Sequence, residues 1–126
     1  MSISPSRRSF LRFSVAVAST SATATRVLGA NDRPAYGVIG AGGRGRAVSQ
    51  AFQKLGAQCV ALCEVYEPNL ELARKQSPRD VRSYVDHKEL LAQPSLDFVL
   101  VATPDHHHCP NLLDSLAAGK DVYLEK

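Results

Sequence analysis

Short apolar runs alternate with helical patterns along residues 35–126, and this order is the strongest constraint on the fold. The run 98–101, Phe-Val-Leu-Val, is apolar at every position, as expected of a parallel strand that is buried on both faces. Strands that alternate with helices through short loops predict right-handed crossovers and a doubly wound parallel sheet. The predicted fold class is therefore α/β, of Rossmann type. The predicted strands are 35–39, 58–63, 81–85, 96–103 and 122–124, and the predicted helices are 47–55, 68–76, 86–91 and 110–118.

A glycine-rich loop follows the first predicted strand. Its residues, Gly40-Ala41-Gly42-Gly43-Arg44-Gly45, fit the pattern G-x-G-x-x-G between a strand and a helix. In this context Gly40 permits a tight turn and Gly42 lets the backbone approach a pyrophosphate, while Gly45 lets the helix pack closely on the strand. The unpaired N–H groups at the helix start favour a phosphate. The loop predicts a dinucleotide site, with a purely structural turn as the alternative.

An acidic residue follows the second predicted strand. Glu64 lies 24 positions after Gly40, near the offset of about 20 at which dinucleotide-binding domains place the acid that contacts the adenosine ribose. Its carboxylate would repel a 2′-phosphate, so the sequence favours NAD, with NADP as the alternative. Arg44 keeps NADP open, because a guanidinium in the loop can pair with a phosphate. A solvated arginine at an exposed helix start is the other interpretation.

The net charge of +3 comes from the first 30 residues. These hold four arginines and no Asp or Glu, whereas residues 31–126 hold 11 basic and 12 acidic residues. The predicted domain therefore lacks the basic surface that nucleic-acid binding requires, and no nucleic-acid partner is expected.

Residues 1–30 have the features of an export signal. The stretch Ser6-Arg7-Arg8-Ser9-Phe10-Leu11-Arg12 resembles the twin-arginine motif, and Leu28-Gly29-Ala30 suits cleavage. The intervening stretch is too rich in Ser and Thr for a membrane span, which needs about 20 mostly apolar residues. We expect the twin-arginine export machinery as a partner and a periplasmic or extracellular location. A mitochondrial transit peptide and a disordered tail are the alternatives.

The three cysteines form no disulfide pattern. Cys59 and Cys63 lie four positions apart on a predicted strand, which places them on the same face and roughly 13 Å apart. That separation excludes a bridge between them. Cys109 is left without a partner, so buried, unreactive thiols are predicted.

A histidine run follows the fourth predicted strand, within the sequence 103–110, Thr-Pro-Asp-His-His-His-Cys-Pro. Consecutive side chains point in different directions, whereas zinc sites take ligands from separate turns, so no metal site is predicted. Ligands of doubly wound sheets bind instead at the carboxyl ends of the strands. Loops from four strands are therefore predicted to meet at one extended ligand, through Gly40, Glu64, Thr103 and Glu125.

Three motifs resemble the N-terminal domain of the Gfo/Idh/MocA oxidoreductases, which include glucose–fructose oxidoreductase and inositol dehydrogenase. The resemblance covers residues 35–126, with the motifs in the family's order, and Asp105 stands where many members have Asn. The motifs are the glycine loop, Ala102-Thr103-Pro104-Asp105-x-x-His108, and Ala118-Gly119-Lys120-Asp121-Val122-Tyr123-x-Glu125-Lys126.

The resemblance implies the NAD(P)-binding domain of an enzyme that passes a hydride between a sugar or polyol and a nicotinamide. Lys126 matches the family's catalytic lysine, which hydrogen-bonds the reacting hydroxyl and helps to manage its proton. Glu125 would support that end of the strand. Thr103 and Pro104 would line the cofactor, with His108 facing the nicotinamide side.

In the family a proline follows this lysine, and further strands and a C-terminal α/β domain supply the substrate pocket. We therefore expect residues 31–126 to be an incomplete Rossmann domain from a longer enzyme, for which homo-oligomerisation stays open. Two other functions are alternatives. One is an NAD-dependent glycoside hydrolase of the same family, and the other is a non-catalytic dinucleotide-binding module.

Overall fold

Five parallel strands with helices on both faces make up residues 33–126, the part of the chain that the computed structural model describes. Every neighbouring pair of strands is parallel, so the predicted α/β Rossmann-type fold is confirmed. The predicted signal segment, residues 1–30, lies outside the described residues. The strands are β1 (Ala35–Ile39), β2 (Gln58–Cys63), β3 (Arg82–Tyr84), β4 (Phe98–Val101) and β5 (Asp121–Leu124). The helices are α1 (Gly43–Lys54), α2 (Glu67–Lys75), α3 (His87–Leu91) and α4 (Asp105–Ala117).

The strand order in the sheet is β3-β2-β1-β4-β5. The chain runs outward from β1 to β3 and then returns to β4, on the other side of β1. The connections diverge between β1 and β4, and in doubly wound sheets such a reversal leaves a crevice at the carboxyl ends of the strands. The topology therefore fixes where a ligand site can form.

Successive side chains of each strand pack into two separate clusters, because neighbouring residues of a strand point to opposite faces of the sheet. One cluster includes residues of α2, with Val48 and Phe52 of α1 packed against it, and the other includes residues of α3. The first contains Tyr36, Val38, Leu62, Leu70, Ala73 and Leu100. The second contains Ile39, Ala61, Leu90, Leu91, Val99 and Val101.

Tyr36 of β1 connects the sheet to α1 through ring packing and hydrogen bonds. Its ring is fully buried and stacks on Phe98 at a centroid distance of 5.2 Å. Its hydroxyl lies 2.9 Å from the Ser49 carbonyl oxygen and 2.8 Å from the Ser49 Oγ in α1. Burial raises the pKa of Tyr36 to about 12, so the hydroxyl stays protonated. Because Ser49 lies in the middle of α1, this contact holds the body of the helix that follows the glycine loop against β1.

A β-bulge in β2 corrects one expectation about the cysteines. Tyr36 of β1 pairs with Cys59, but the next residue, Gly37, pairs with Ala61, so Val60 is an extra residue in β2 without a partner in β1. As a result Cys59 packs in the first cluster and Cys63 in the second. The prediction that both face the same side was wrong, because it assumed an unbroken two-residue alternation. Both are buried free thiols as predicted, whereas Cys109 is free but exposed.

The helix after β4 begins five residues earlier than predicted, at Asp105 rather than Pro110. Pro110, the predicted helix start, lies inside the helix. Its missing N–H removes a single bond, to the carbonyl of His106, and the remaining turns outweigh that loss. Asp105 favours the earlier start, because an acidic side chain in the first turn complements the helix dipole. The histidine run is therefore helical. The other predicted bounds differ from the observed ones by a few residues at most.

Candidate cofactor-binding site

A cleft of about 660 Å³ opens at the carboxyl ends of the strands. The segments that follow all five strands contribute to its wall, so the predicted convergence of loops is observed. Its lining includes Gly40, Gly42 and Arg44 after β1, Glu64 and Val65 after β2, Val85 and His87 after β3, Thr103, Pro104, His106, His107, Pro110 and Asn111 after β4, and Glu125 and Lys126 after β5.

Two glycines of the loop are required by close backbone contacts. Gly40 has φ +91°, and a Cβ atom there would lie 2.7 Å from the carbonyl carbon of Ala102 and 2.7 Å from the nitrogen of Thr103. A Cβ atom on Gly45 would overlap the carbonyl oxygen of Gly40. The loop is therefore pressed against β4 on one side and against its own helix on the other. Both predicted roles, the tight turn and the close packing, agree with these contacts.

Gly42 has a different surrounding. A Cβ atom there would meet only the Asn69 Nδ2, at 3.9 Å, so the fold itself does not require glycine at this position. Gly42 is the N-cap of α1, lines the cleft, and precedes a first turn that holds no acidic residue. Its bare backbone and the free N–H groups of the first turn form a surface that a phosphate can approach closely. These residues fit the pyrophosphate of a dinucleotide.

Glu64 is oriented by its own turn. Its Oε1 accepts hydrogen bonds from the backbone N–H groups of Val65 at 2.8 Å and Tyr66 at 2.9 Å. Its backbone N–H donates to the carbonyl oxygen of Tyr84 in β3. The second carboxylate oxygen takes no part in these bonds and can accept from ribose hydroxyls. The next three residues, Val65-Tyr66-Glu67, bring no positive charge to this side of the cleft.

Arg44 is paired within the protein. Its Nη2 lies 2.9 Å from the Oε1 of Glu125, which follows β5 and is 93% buried, the exposed fraction of its side chain being 7%. The other arginine of this turn, Arg46, donates to the carbonyl oxygen of Ala41 and to the Oδ1 of Asn69. Both guanidinium groups therefore have defined protein partners.

The segment after β4 is held by two side-chain bonds at Thr103. Its hydroxyl donates to the Oδ1 of Asn111 at 2.9 Å, and the Nε2 of His108 is hydrogen-bonded to its carbonyl oxygen. His108 is thus directed at the backbone of its own turn. The cleft wall contains His106 and His107 instead, whose rings lie 4.1 Å apart between centroids. Pro104 is the N-cap of α4 and also lines the cleft. The predicted nicotinamide-side role of His108 stays a prediction.

Lys126 lies at the far wall of the cleft from Glu64. Its neighbour Glu125 extends the β4–β5 pairing by one step, because the Glu125 N–H donates to the Val101 carbonyl oxygen at 2.9 Å. Lys126 itself is exposed and lines the cleft. The side chain that the sequence proposed as catalytic is therefore accessible to a ligand in the cleft.

Comparison with known proteins decides the family. The model of the Gfo/Idh/MocA oxidoreductase family, NAD-binding Rossmann fold, matches residues 35–126. The chain belongs to this family. The resemblance inferred from the three motifs is confirmed, and residues 35–126 are a Gfo/Idh/MocA NAD-binding Rossmann domain.

Individual relatives agree with this assignment. The chain is similar to the inositol 2-dehydrogenase of Agrobacterium fabrum strain C58, with 33% identity over 92 residues, which covers 71% of this chain and 27% of the relative. It is also similar to glycosyl hydrolase family 109 protein 2 of Shewanella sp. strain ANA-3, with 30% identity covering 94% of this chain and 33% of the relative. Among solved structures, myo-inositol dehydrogenase from Lactobacillus casei in complex with NAD(H) and myo-inositol superimposes with a TM-score of 0.70 at 29% identity, covering 75% of this chain and 28% of that chain. The chain thus spans about a third or less of the length of these proteins.

Three polar residues of the Gfo/Idh/MocA domain lie in the cleft wall but were missed by the sequence analysis: Asn69, His87 and Asn111. They lie inside helices, outside the recognised motifs, and only the topology brings them to the cleft. His87 is held by Asp114 of α4, with 2.7 Å between its Nε2 and the Asp114 Oδ2. This hydrogen bond lowers the pKa of Asp114. The one available signal for His87 was its place directly after Asp86, the N-cap of α3.

Cys63 also lines the cleft of the domain, directly before Glu64. Burial, with the nearby charge of Asp86 as a smaller cause, raises the pKa of its thiol to about 12. A thiol that stays protonated near neutral pH is a poor nucleophile. The structure therefore agrees with the prediction of an unreactive thiol here.

Within residues 33–126, no group of three or more His, Cys, Asp or Glu side chains is arranged to hold a metal ion. In the same part of the chain, no helix has the length and apolar character that crossing a membrane requires.

Proposed function

We propose that this chain is the cofactor domain of an exported oxidoreductase that transfers a hydride between a sugar or polyol and NAD. One observation carries the proposal: a single cleft has the glycine loop and Glu64 on one side and the Glu125-Lys126 pair on the other. That arrangement suits an extended dinucleotide with its adenosine near Glu64 and its nicotinamide near Lys126. The sugar or polyol class is supported by the inositol dehydrogenases among the relatives.

NAD is proposed rather than NADP because of the charge around Glu64. A 2′-phosphate would face the free oxygen of this carboxylate, with Glu67 close by in the sequence and no basic residue among the next three positions. Arg74, the arginine of α2, is engaged by Glu67 at 3.2 Å and by Glu71 at 2.7 Å. Like charges at this end disfavour the doubly charged phosphate.

Lys126 is proposed as the residue that handles the proton of the substrate hydroxyl. The bound nicotinamide supplies the acceptor or donor for the hydride. The unprotonated amine of Lys126 would accept a hydrogen bond from the hydroxyl group of the substrate and orient it. As the carbon–oxygen bond gains double-bond character, the hydroxyl proton would be lost to the amine of Lys126 or to water.

Cofactor binding can be measured directly on this chain. It has no tryptophan, so the fluorescence of NADH reports binding without competing tryptophan emission. We expect saturable binding of NADH and weaker binding of NADPH. Gly42→Ala should weaken NADH binding by about tenfold or more because the added methyl group blocks the backbone approach. Its melting temperature should stay close to that of the parent.

Gln50→Ala is the matched control for this titration, because Gln50 is exposed on α1 and lies outside the cleft wall. It should bind NADH like the parent. Absence of NADH binding by a chain whose circular dichroism shows that it is folded would contradict the cofactor proposal, and tighter binding of NADPH would contradict the choice of NAD.

A second function is favoured by one observation. The Shewanella relative named as a family 109 glycosyl hydrolase aligns with 94% of this chain, a larger share than the inositol dehydrogenase does. A glycosidase of this kind would oxidise the sugar transiently and return the hydride, so that NAD is not consumed. Its cofactor domain would use the same cleft and the same Lys126.

Turnover separates the two functions in a longer protein that contains this chain. Net formation of NADH from a free sugar or polyol supports the oxidoreductase. Release of a sugar from a glycoside without net NADH supports the glycosidase. Analytical ultracentrifugation of the same protein would show whether it forms a homo-oligomer, which the sequence leaves open.

Export by the twin-arginine machinery is proposed from the pair Arg7-Arg8 and the acid-free segment 1–30. Residues 1–30 fused to a folded fluorescent reporter should direct it to the bacterial periplasm, and Arg7→Lys with Arg8→Lys should retain it in the cytoplasm. Undiminished export of the doubly substituted fusion would contradict the proposal, as would import of the parent fusion into mitochondria in a eukaryotic cell.

A further inference from the structure

The ion pair between Arg44 and Glu125 joins two motifs that lie 81 positions apart in the chain. Arg44 belongs to the glycine loop, where it lies in the first turn of α1, and Glu125 follows the last residue of β5. The Nη2 of Arg44 lies 2.9 Å from the Oε1 of Glu125. The contact therefore links the glycine loop to the strand end that carries Lys126.

The two partners are buried to very different degrees. The side chain of Glu125 is 7% exposed, whereas that of Arg44 is 64% exposed. A carboxylate with so little access to water needs a compensating charge. Within residues 33–126, Arg44 is the basic residue that lies within ion-pair distance of it. Arg44 is thus the group that permits a charged Glu125 at this position.

Glu125 is also held through its backbone. Its N–H donates to the carbonyl oxygen of Val101, which continues the parallel pairing of β4 and β5 beyond Leu124. With the backbone fixed on one side and the carboxylate on the other, the position of Glu125 determines where Lys126 begins. Loss of Arg44 would remove the second of these constraints.

The location of this pair separates it from the adenosine end of the cleft. β5 lies three strand positions from β2, which corresponds to about 14 Å at the usual spacing between strands. Glu64 marks the β2 side, and Arg46, the other arginine of the turn, is bonded to Ala41 and Asn69. The Arg44 guanidinium therefore lies on the side opposite to the one where a 2′-phosphate would bind.

From these contacts we infer that Arg44 is a positioning residue, which acts through Glu125 on the nicotinamide half of the bound dinucleotide and on the placement of Lys126. The inference rests on the proposed function, because it takes the cleft to be the dinucleotide site. It changes the interpretation of Arg44, which as a residue of the glycine loop was a candidate for phosphate binding.

ADP and NADH share the adenosine diphosphate half, so comparing their affinities distinguishes phosphate binding by Arg44 from positioning through Glu125. ADP carries the adenosine and two phosphates, whereas NADH adds the second ribose and the nicotinamide. In this chain we expect Arg44→Gln and Glu125→Gln each to weaken NADH binding by about tenfold, while the affinity for ADP, measured by displacement of NADH, changes by less than about twofold. The emission maximum of bound NADH should shift towards that of free NADH, because the nicotinamide is held less closely.

Arg44→Lys serves as the conservative variant. It retains the positive charge but not the planar guanidinium, so it should recover part of the NADH affinity. Arg74→Gln and Glu71→Gln remove an exposed ion pair outside the cleft, at 2.7 Å in the parent, and should leave both affinities unchanged. These variants control for the loss of an ion pair as such.

The outcomes are distinct. Equal weakening of ADP and NADH by Arg44→Gln would overturn the inference, because it would place Arg44 on the phosphates. Unchanged NADH binding in Arg44→Gln and Glu125→Gln, with both proteins folded, would overturn it as well. A folded parent chain that binds neither ligand would instead defeat the proposed function, and the inference with it.

Discussion

Two glutamates lie at the carboxyl ends of two strands of the same sheet, and they are held in opposite ways. Glu64, after β2, is oriented by the N–H groups of Val65 and Tyr66, its immediate neighbours in the chain. Glu125, after β5, is buried and held by Arg44, which lies 81 positions away in the sequence. The first is positioned by its own turn and the second by the tertiary fold.

This difference matters for the roles proposed for the two residues. A carboxylate that is fixed locally keeps one oxygen for the turn and offers the other to a ligand, as a ribose-binding acid requires. A carboxylate that is buried and paired contributes to the stability and shape of the site instead. The two ends of the cleft should therefore respond differently to substitution.

The largest expected effect comes from Gly45→Ala, which breaks the long-range arrangement while leaving the Glu64 turn intact. The added Cβ atom would overlap the Gly40 carbonyl oxygen and push the first turn of α1, with Arg44, away from Glu125. We expect the free energy of unfolding to fall by about 3 kcal/mol, as overpacking against backbone does. Urea denaturation followed by circular dichroism measures it.

Gly43→Ala is the matched control, since a Cβ atom at Gly43 would meet nothing within 4 Å. Its free energy of unfolding should stay within about 0.5 kcal/mol of the parent value. A stability of Gly45→Ala equal to that of Gly43→Ala would show that the loop is not packed as described.

The next effect tests the buried end directly. Arg44→Gln leaves the Glu125 carboxylate buried without its partner, so we expect a loss of about 2 kcal/mol in the free energy of unfolding, less than for a fully buried pair because the guanidinium is exposed. Glu125→Gln leaves only an exposed cation and should cost about 1 kcal/mol. Urea titrations of both variants give these values.

The exposed pair of Arg74 and Glu71 provides the reference. We expect Arg74→Gln to lower the free energy of unfolding by about 0.5 kcal/mol. If Arg44→Gln were no more destabilising than Arg74→Gln, the claim that buried Glu125 depends on its partner for stability would be wrong.

Glu64→Gln, at the adenosine end of the cleft, should affect stability less than Arg44→Gln does and should affect NADH binding strongly. In Glu64→Gln the amide oxygen can still accept from Val65 and Tyr66, so the free energy of unfolding should change by less than about 0.5 kcal/mol. NADH affinity should fall by about tenfold because a neutral amide is a weaker partner for the ribose hydroxyls. The preference for NADH over NADPH should narrow at the same time. A loss of stability without a loss of affinity would assign Glu64 a structural role.

The smallest expected effect concerns Asp114 of α4, whose carboxylate is hydrogen-bonded to His87. The hydrogen bond from His87 lowers the pKa of Asp114. Because a lowered pKa in the folded state stabilises the fold above the unfolded pKa, this contribution should be lost as the pH falls below about 4. Asp114→Asn should therefore make the stability less dependent on pH below about 4 than in the parent. Thermal melts at a series of acidic pH values measure the slope, and an unchanged slope in Asp114→Asn would contradict the assignment.

The parts of the fold that were predicted from the sequence depend on local patterns. The strand runs and the loop 40–45 follow from alternation, propensity and glycine spacing, and both are observed. The start of α4 was missed because Pro110 is a strong local signal for a helix start, while the packing of α4 against β4 and β5 supports the longer helix. The bulge in β2 leaves no local signal, and it moves Cys63 to the opposite face from Cys59.

Three features can be read from the amino-acid sequence without the structure: the parallel, doubly wound sheet, the glycine loop after β1, and the residues at the carboxyl ends of the strands. These features are encoded in short windows, where side-chain periodicity and backbone freedom act over a few residues. Only the folded sheet shows that Arg44 pairs with Glu125 and that Asn69, His87 and Asn111 join the cleft wall. Such contacts join residues far apart in the chain, and their geometry is fixed only when the sheet has brought the strand ends together.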